Sequence, residues 1–461
     1  MEAVAKKSTE TISGALPAAS NRQVFGAVTA SCMGWALDLF DLFILLFVAP
    51  VIGRLFFPSE HAMLSLAAVY ASFAVTLLMR PLGSAIFGSY ADRHGRKGAM
   101  VVAVTGVGLS TAAFGLLPTV GQVGLLAPAL FILLRLVQGI FVGGVVASTH
   151  TIGTESVPPS WRGAVSGLVG GGGAGIGALL ASITYMAMTA LFPGDAFDTW
   201  GWRCMFFSGI ISSVLGLFIF NSLEESPLWK QLQAAKGHAA PVENPLRVLF
   251  SGKYRGVLVV NILLTIGGGS AYYLTSGYLP TFLKVVVKAP AGASAAILMA
   301  SSVGVIVASI FAGHLSTLIG RKRSFLLIGA LNVVLLPLIY QRMPAVPDVT
   351  TLGMYAVALA MLGSMGFAPI LIFLNERFPT SIRATGTGLS WNIGFAIGGM
   401  MPTFASLCAS TPADLPKVLG IFVAVVTAIY LAGAAIVPET AGALGKSEGD
   451  CAVALSNASS S

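Results

Sequence analysis

Residues 88–97 read GSYADRHGRK and residues 313–322 read GHLSTLIGRK, with Gly, Gly, Arg and Lys at the same spacing in both. A second pair of segments repeats in the same order, ESVPPSWR at 155–162 and ERFPTSIR at 376–383. The offsets between the copies are 225 and 221 residues, about half of the chain. Two copies in the same order predict two halves of one architecture that repeat in parallel.

The sequence around these motifs is strongly apolar. Of the 461 residues, 56% are hydrophobic and 10% are charged, and the mean hydropathy is +0.86. Soluble domains carry about 25% charged residues, so a soluble chain of this composition would not cover its surface with polar groups. The composition therefore predicts a polytopic helical membrane protein.

A hydrocarbon core of about 30 Å needs about 20 apolar residues in a helix. Runs of this kind predict twelve transmembrane helices at 24–53, 62–88, 98–117, 123–154, 163–192, 203–223, 256–283, 291–317, 324–341, 349–375, 384–410 and 416–437. The first run is too long for the apolar region of a signal peptide, so we expect it to be a membrane span.

These runs divide the chain into two bundles joined by a polar loop. We predict a tail at 1–23, a six-helix bundle at 24–223, a loop at 224–255, a second six-helix bundle at 256–438 and a tail at 439–461. With both tails inside, eighteen basic residues lie on the inner side and six on the outer side. The positive-inside rule then predicts a plasma or inner membrane protein with both termini and the central loop in the cytoplasm. The net charge of +8 is spread in small groups, which argues against a nucleic-acid partner.

Two motifs carry a resemblance to a known family. RPLGSAIFGSYADRHGRK at 80–97 and RLVQGIFVGG at 135–144 resemble the signature segments of the major facilitator superfamily. The resemblance implies an all-α integral membrane fold, with twelve transmembrane helices in two pseudo-symmetric six-helix bundles. GWALDLFDLFILLFVAP at 34–50 and NERFPTSIRATGTG at 375–388 look like the metabolite:proton symporters, in particular their sialate/monocarboxylate or aromatic-acid branches. GVVASTH at 144–150 departs from the Gly-Glu-Trp pattern of many such symporters, which leaves the substrate open.

Four charged residues fall deep inside the predicted spans, away from the span ends: Asp38, Asp41, Arg80 and Arg135. At 1.5 Å per residue, Asp41 and Arg135 each lie about 18 Å from the outer end of their helix, and Asp38 lies near the depth of Arg80. Charges at this depth cost several kcal/mol unless paired or hydrated, so they indicate a functional site. We predict that Asp41, Asp38 and Arg135 couple protons, with Asp41 as the preferred carrier, and that Arg135 also binds an anionic substrate. The alternative is that the pairs only join helices, and we favour it for Arg80.

The second half offers polar aromatic and amide side chains instead of buried acids. These groups can hydrogen-bond a carboxylate while their apolar bodies face a cavity. With Arg135, they form the predicted substrate-binding set, and ordinary helix packing is the alternative: Tyr272, Tyr273, Tyr278, Trp391 and Asn392.

The loop at 88–97 is predicted to control gating, although simple anchoring by its basic residues is an alternative. The glycines allow a tight turn, and the aspartate can pair with arginines or with a helix N-terminus. The predicted gating residues are Gly88, Asp92, Arg93, Gly95, Arg96 and Lys97. The second copy has Thr317 in place of Asp92, so its gating pair is open.

Two further features of the first half invite a prediction. Gly171 and Gly175, and likewise Gly173 and Gly177, have the spacing of helix-packing glycines. His150 lies about 22 Å along its helix from Arg135, near the inner end. We expect it beside Glu155, either as a structural partner of that loop or on a proton exit route.

The predicted function is proton-coupled uptake of a small organic acid by alternating access. The expected partners are a small organic anion, a proton and the lipid bilayer, and we expect a monomer. Alternatives are a uniporter or exporter of the same fold, or a membrane sensor that transports nothing. The sequence shows no phosphate loop, no zinc or haem spacing and no nucleophile elbow, which argues against an ATP-driven pump, a metal or cofactor, and an enzyme.

Overall fold

The computed structural model describes residues 21–221 and 244–444, and within them it contains helices and no strands. The first half holds α1 (Asn21–Phe56), α2 (Ala62–His94), α3 (Arg96–Phe114), α4 (Leu126–Glu155), α5 (Arg162–Gly167, a π-helical turn Leu168–Gly172, and Gly173–Leu191) and α6 (a π-helical turn Phe197–Gly201, then Trp202–Phe207 and Gly209–Asn221). The second half holds α7 (Gly252–Tyr272, a π-helical turn Tyr273–Gly277, and Leu279–Val285), α8 (Ala291–Leu318), α9 (Arg321–Arg342), α10 (Val349–Met365 and Ile370–Arg377), α11 (Arg383–Gly399 and Met401–Cys408) and α12 (Leu415–Ile436). Short helical turns at Val120–Val123, Pro159–Trp161, Pro245–Leu249, Met343–Ala345 and Pro412–Asp414 lie between them.

The prediction of twelve membrane segments is confirmed, with one irregularity. In the described ranges, eleven segments are long and apolar enough to cross a membrane as one helix. The remaining segment, α11, is interrupted at Met400, so that neither of its pieces spans the bilayer alone. Pro402 is the second residue of the second piece and so lies in its first turn, where its missing N–H leaves no hydrogen bond unmade.

The two halves meet through two equivalent helix pairs. α2 packs against α11, and α5 packs against α8, so that in each pair the second helix of one half meets the fifth helix of the other. In the α5–α8 pair, Gly163 and Gly313 bring the two backbones together, because a Cβ on either residue would overlap the carbonyl oxygen of the other. The halves therefore share an interface built from small residues.

The glycine-rich stretch of α5 has two packing faces. Gly171 and Gly175 lie against α8, whereas Gly173 and Gly177 lie against α1. The packing role predicted for these glycines is confirmed, since a Cβ at any of the four positions would overlap atoms of the neighbouring helix.

The repeated loop motif forms the same turn in both halves. Gly95, between α2 and α3, has a φ of 104°, and Gly320, between α8 and α9, has a φ of 95°. Residues with a Cβ rarely adopt these values, so glycine is needed at both positions. Gly88, in contrast, lies inside α2, and the prediction that it helps to form the turn is wrong.

Several predicted regions lie wholly or partly outside the described residues. These are the tails, most of the central loop and the side chain of Arg96. The description of the second half begins at Asn244, which caps the short helix Pro245–Leu249 through its side chain. The domain boundaries given above remain predictions.

Candidate functional site

Asp38 of α1 and Arg80 of α2 form an ion pair in the interior of the first half. The Asp38 Oδ2 atom lies 3.6 Å from Arg80 Nη2, and both residues are buried. This contact confirms that the two residues share one depth. It satisfies few of their hydrogen-bonding atoms, because both carboxylate oxygens of Asp38 and the Nε and Nη1 atoms of Arg80 have no hydrogen-bond partner.

An aromatic cluster lies beside this ion pair and joins the two halves. The ring of His150, from α4, lies edge-on between Trp35 of α1 and Trp391 of α11, with centroid distances of 4.8 and 4.6 Å. Trp35 donates a 2.8 Å hydrogen bond to the carbonyl of Gly170 in the π-helical turn of α5. Trp391 is stacked on Phe395 at 4.3 Å, and its indole N–H has no partner.

The position of His150 corrects the prediction from sequence. We expected its side chain beside Glu155, but its ring packs between two tryptophans and is fully buried. The height along a helix axis does not show the direction in which a side chain points, and this is why the argument from helical rise missed the contact.

The hydrogen bonds of His150 determine which of its nitrogens carries the proton in the neutral ring. Its Nδ1 atom lies 3.2 Å from the hydroxyl of Thr149, and that hydroxyl donates its own proton to the carbonyl of Val145 at 2.9 Å. Since a hydroxyl has one proton and the Val145 carbonyl accepts it, we assign Nδ1–H as the donor to Thr149. The Nε2 atom is then left as a bare acceptor without a partner.

The other residues of the predicted substrate set divide by position. Tyr272 and Tyr273 of α7 are buried and lie close enough to Arg80 to interact with its charge. Asn392 of α11 donates a 2.5 Å hydrogen bond to Ser84 of α2 and so connects the halves. The structure thus brings Tyr272, Tyr273, Trp391 and Asn392 towards the first-half ion pair.

Asp41 and Arg135 lie near one another but do not form a direct ion pair. Arg135 donates to Gln138 at 2.8 Å, and Gln138 donates to the hydroxyl of Thr111 at 2.7 Å. The Asp41 carboxylate faces the same Thr111 and accepts a hydrogen bond of 3.4 Å from Ser212. Two hydroxyls, rather than the guanidinium, are therefore the neighbours of this carboxylate.

Arg135 has a mostly aromatic environment. Its guanidinium carbon lies 4.2 Å from the ring centroid of Phe114 and 5.2 Å from that of Phe131. These contacts are within the first half, whereas Tyr272 and Tyr273 of the second half interact with the charge of Arg80. A small cavity of about 10 Å³ lies beside the acids and is lined by Asp38, Asp41 and Ser212 together with apolar residues.

One end of the molecule is closed by contacts of the signature loop. Asp92 accepts hydrogen bonds from the backbone N–H groups of Ala384 and Thr385, at 3.3 and 3.0 Å, and from the Thr385 hydroxyl at 2.7 Å. These donors lie in the first turn of α11, so Asp92 meets a helix N-terminus, one of the two partners considered for it. Glu155 and Arg383 add an ion pair of 2.7 Å between the halves at this end.

The second copy of the motif holds its charge pair within one half. Arg321 binds Glu376 through two hydrogen bonds of 3.0 and 3.1 Å, and it also donates to Thr317 at 3.2 Å. The residue that replaces Asp92 in the second copy therefore serves as an acceptor for an arginine of its own loop.

The opposite end is closed by tyrosines. The hydroxyls of Tyr70 in α2 and Thr281 in α7 lie 2.7 Å apart, and the ring of Tyr70 is stacked on Tyr278 at 5.3 Å. Tyr278 also bonds to Ser406 at 2.8 Å, so this predicted substrate residue belongs to the closure. With contacts at both ends, the ion pair and the aromatic cluster are enclosed.

A cleft between the halves lies next to this enclosed centre. Its cavity volume is about 30 Å³, and it is bounded by Phe43 of α1, Gly175 of α5, Tyr272 of α7 and Ser302 of α8. Its walls are largely apolar.

Comparisons with known proteins agree with this architecture. The sequence profile of the Major Facilitator Superfamily matches residues 24–402. The inner membrane metabolite transport protein YhjE of Escherichia coli K12 is 30% identical over 422 residues, which are 90% of this chain and 94% of that protein. A proline/betaine transporter of the same organism is 28% identical over 402 residues, covering 84% of this chain and 78% of the relative.

A solved structure supports the fold independently of sequence. The proton:xylose symporter XylE of E. coli, bound to 6-bromo-6-deoxy-D-glucose, superposes with a TM-score of 0.73 at 19% identity, over 91% of this chain and 97% of that chain. At this identity the likeness concerns the fold alone. The profile match and the twelve membrane segments together show that the chain is an integral membrane transporter of the Major Facilitator Superfamily.

Proposed function

We propose that the protein is a secondary active transporter that couples uptake of a small organic acid to protons by alternating access. The observation that carries this proposal is a pair of carboxylates, Asp38 and Asp41, one helical turn apart in α1 and 3% and 1% exposed. Among the described residues, only Arg80 forms an ion pair with either of them. The carboxylate of Asp41 is thus left with hydroxyl partners in the membrane interior.

A carboxylate in this position is suited to carry a proton. An ionised side chain inside the membrane costs several kcal/mol when it has no charged partner. Binding of a proton neutralises the carboxylate and removes this cost. When one end of the protein opens, water reaches Asp41 and the proton can leave. The link from Asp41 through Thr111 and Gln138 to Arg135 lets movement of α3 or α4 change the environment of the carboxylate.

The direction of transport and the orientation of the protein in the membrane belong to the same proposal. The signature-loop end carries most of the basic residues, which supports a cytoplasmic position for this end and for both termini. The inward proton gradient then drives uptake. The transported species is a small organic anion, since its carboxylate meets buried arginines, and the protein works as a monomer in the bilayer.

The test uses purified protein in proteoliposomes and a counterflow screen of monocarboxylates, sialate, aromatic acids and dicarboxylates. With the acid found in this way, Asp41→Asn is expected to abolish accumulation driven by a pH gradient but to preserve exchange, because the amide mimics the protonated carboxyl. Asp38→Asn should show the smaller effect. The matched control is Asp198→Asn, an exposed carboxylate that pairs with Arg54.

Accumulation by the Asp41→Asn variant against a gradient, with wild-type pH dependence, would show that Asp41 does not carry the proton. Absence of gradient-driven accumulation in the wild-type protein, together with intact exchange, would favour a uniporter.

A further inference from the structure

Six buried polar atoms without a hydrogen-bond partner lie at the contact between the ion pair and the aromatic cluster. They are Oδ1 and Oδ2 of Asp38, Nε and Nη1 of Arg80, Nε2 of His150 and Nε1 of Trp391. All four residues are at most 3% exposed. Each buried atom without a hydrogen bond costs about 1–3 kcal/mol, and native proteins leave few of them. So many in one place indicate a site whose ligand completes the hydrogen bonds.

These atoms divide into donors and acceptors. The free nitrogens of Arg80 and the indole N–H of Trp391 can only donate. The oxygens of Asp38 accept, and Nε2 of His150 accepts as well, because Nδ1 holds the ring proton through its bond to Thr149. A ligand that satisfies the cluster must therefore present acceptors to one part of it and a donor to the other.

The donors and acceptors are close together. Arg80 and Asp38 are separated by 3.6 Å, and the rings of His150 and Trp391 are in contact at 4.6 Å. Because each pair sets a donor beside an acceptor, a ligand that binds to either pair must carry its acceptor and its donor on neighbouring atoms. A carboxylate with an adjacent hydroxyl or ammonium group has this arrangement, whereas a plain carboxylate lacks the donor.

We propose that this cluster is the substrate site and that it selects 2-hydroxy or 2-amino acids. The carboxylate binds Arg80 and Trp391, and the hydroxyl or ammonium group binds Asp38 and His150. This inference rests on the proposed transport of organic acids, and it assigns anion binding to Arg80 instead of Arg135. Because Trp391 belongs to the second half and the other three residues to the first, a ligand bound here holds the two halves together.

The first test measures equilibrium binding to the wild-type protein in detergent by isothermal titration calorimetry, without a proton gradient. Matched probes share one carbon skeleton: propionate, lactate and alanine; 3-phenylpropionate, 3-phenyllactate and phenylalanine; and acetate, glycolate, glycine and glycine betaine. In at least one skeleton, the hydroxy or amino acid should bind about tenfold or more tightly than the plain acid, because unpaired polar groups in a site penalise the analogue that lacks the donor.

Three outcomes would overturn the proposal. They are binding of plain acids within threefold of the donor-bearing ones, no binding of any donor-bearing acid, and preference for glycine betaine over glycine, which would indicate recognition by aromatic rings alone. Because these measurements need no pH gradient, their failure leaves gradient-driven accumulation and the role of Asp41 untouched.

Variants then locate the site. Trp391→Phe keeps a ring to stack on Phe395 but removes the N–H, and it should weaken binding of the best probe about tenfold. Trp202→Phe is the matched control, since Trp202 is equally buried but packs on Phe56 and Phe206 away from the cluster.

Arg80→Lys keeps the charge but changes the donor geometry, and it should weaken the same binding tenfold or more, which is a larger loss than that caused by Arg135→Lys. The reverse pattern would return anion binding to Arg135. Size-exclusion chromatography checks that each variant is folded. If Arg80→Lys is not folded, the probe series on the wild-type protein decides whether the cluster selects 2-hydroxy or 2-amino acids.

Discussion

Glu155 at the end of α4 and Arg383 at the start of α11 form a buried ion pair of 2.7 Å that joins the two halves. The two residues are the first and last positions of the repeated Glu-to-Arg segment, one from each copy. Arg383 also donates to the carbonyls of Asn375 and Phe378 at 3.0 and 3.1 Å. The connection between α10 and α11 is thus organised around the guanidinium that holds the opposite half.

Glu155→Gln should weaken closure at the signature-loop end. Removing one partner of a buried ion pair costs about 3–5 kcal/mol, and this loss falls on the state in which the pair is formed. A cysteine placed at buried Val165 of α5, with the native cysteines replaced by serine, reports the change as its rate of thiol labelling. We expect labelling at least tenfold faster than in the parent. Asp348→Asn, at an exposed helix cap, is the control, and equal rates in the two variants would contradict the gating role.

Asp92→Asn should slow the complete transport cycle much more than it weakens substrate binding. The carboxylate accepts three hydrogen bonds at the N-terminus of α11, and loss of a negative charge there removes about 0.3–1 kcal/mol or somewhat more in a buried setting. Thr385→Val removes only the hydroxyl bond and should have a smaller effect. Turnover and binding affinity are measured on the same preparation, and equal losses would argue against an effect on state exchange.

Tyr70→Phe should favour opening of the opposite end. It removes the bond to Thr281 across the halves but keeps the ring that stacks on Tyr278. Tyr278→Phe is a closely matched control, because the Tyr278 hydroxyl bonds to Ser406 within the second half. A cysteine at Phe73, a buried residue of α2 packed on Tyr273, should be labelled faster in the first variant and at the parental rate in the second. Similar rates in both variants would rule out the Tyr70 bond as a closure.

The orientation is tested by labelling intact cells. A cysteine at Ala239, in the central loop, should resist a membrane-impermeant thiol reagent added outside, whereas one at Glu60, in the exposed turn between α1 and α2, should react. Serine replaces the native cysteines in both variants. Reaction at position 239 but not at position 60 would reverse the proposed topology.

The membrane segments were predictable because the thickness of the bilayer sets the length of an apolar run. The repeated halves were predictable because the same local turn requires the same motif spacing in each copy. Gly95 adopts the turn conformation that its motif indicates. The shared depth of Asp38 and Arg80 also followed from helical rise, since both helices cross the same layer. The break in α11 did not follow, because its apolar run continues through Met400 without a charged residue.

Partners across the halves were harder to predict. Rise along a helix gives height but neither rotation nor tilt, so Arg135 and Asp41 share a depth while Gln138 and Thr111 lie between them. The sequence offered no signal that Arg383 would bind Glu155 of the other copy. The sequence favours a structural role for Arg80 because the residue precedes the loop motif, whereas in the structure its charge interacts with Tyr272 and Tyr273 of the second half.

The glycine contact between α5 and α8 has a consequence for the height of the barrier to rocking. Gly163 and Gly313 have no side-chain rotamers, so sliding one backbone over the other reorders no side chain at that point and carries almost no side-chain entropy. Resistance to motion then comes mainly from the polar contacts at the two ends. Single substitutions at the two ends can therefore change the rate at which the protein interconverts between its states. A methyl group at Gly163, in contrast, would overlap the backbone of α8 and hinder the movement.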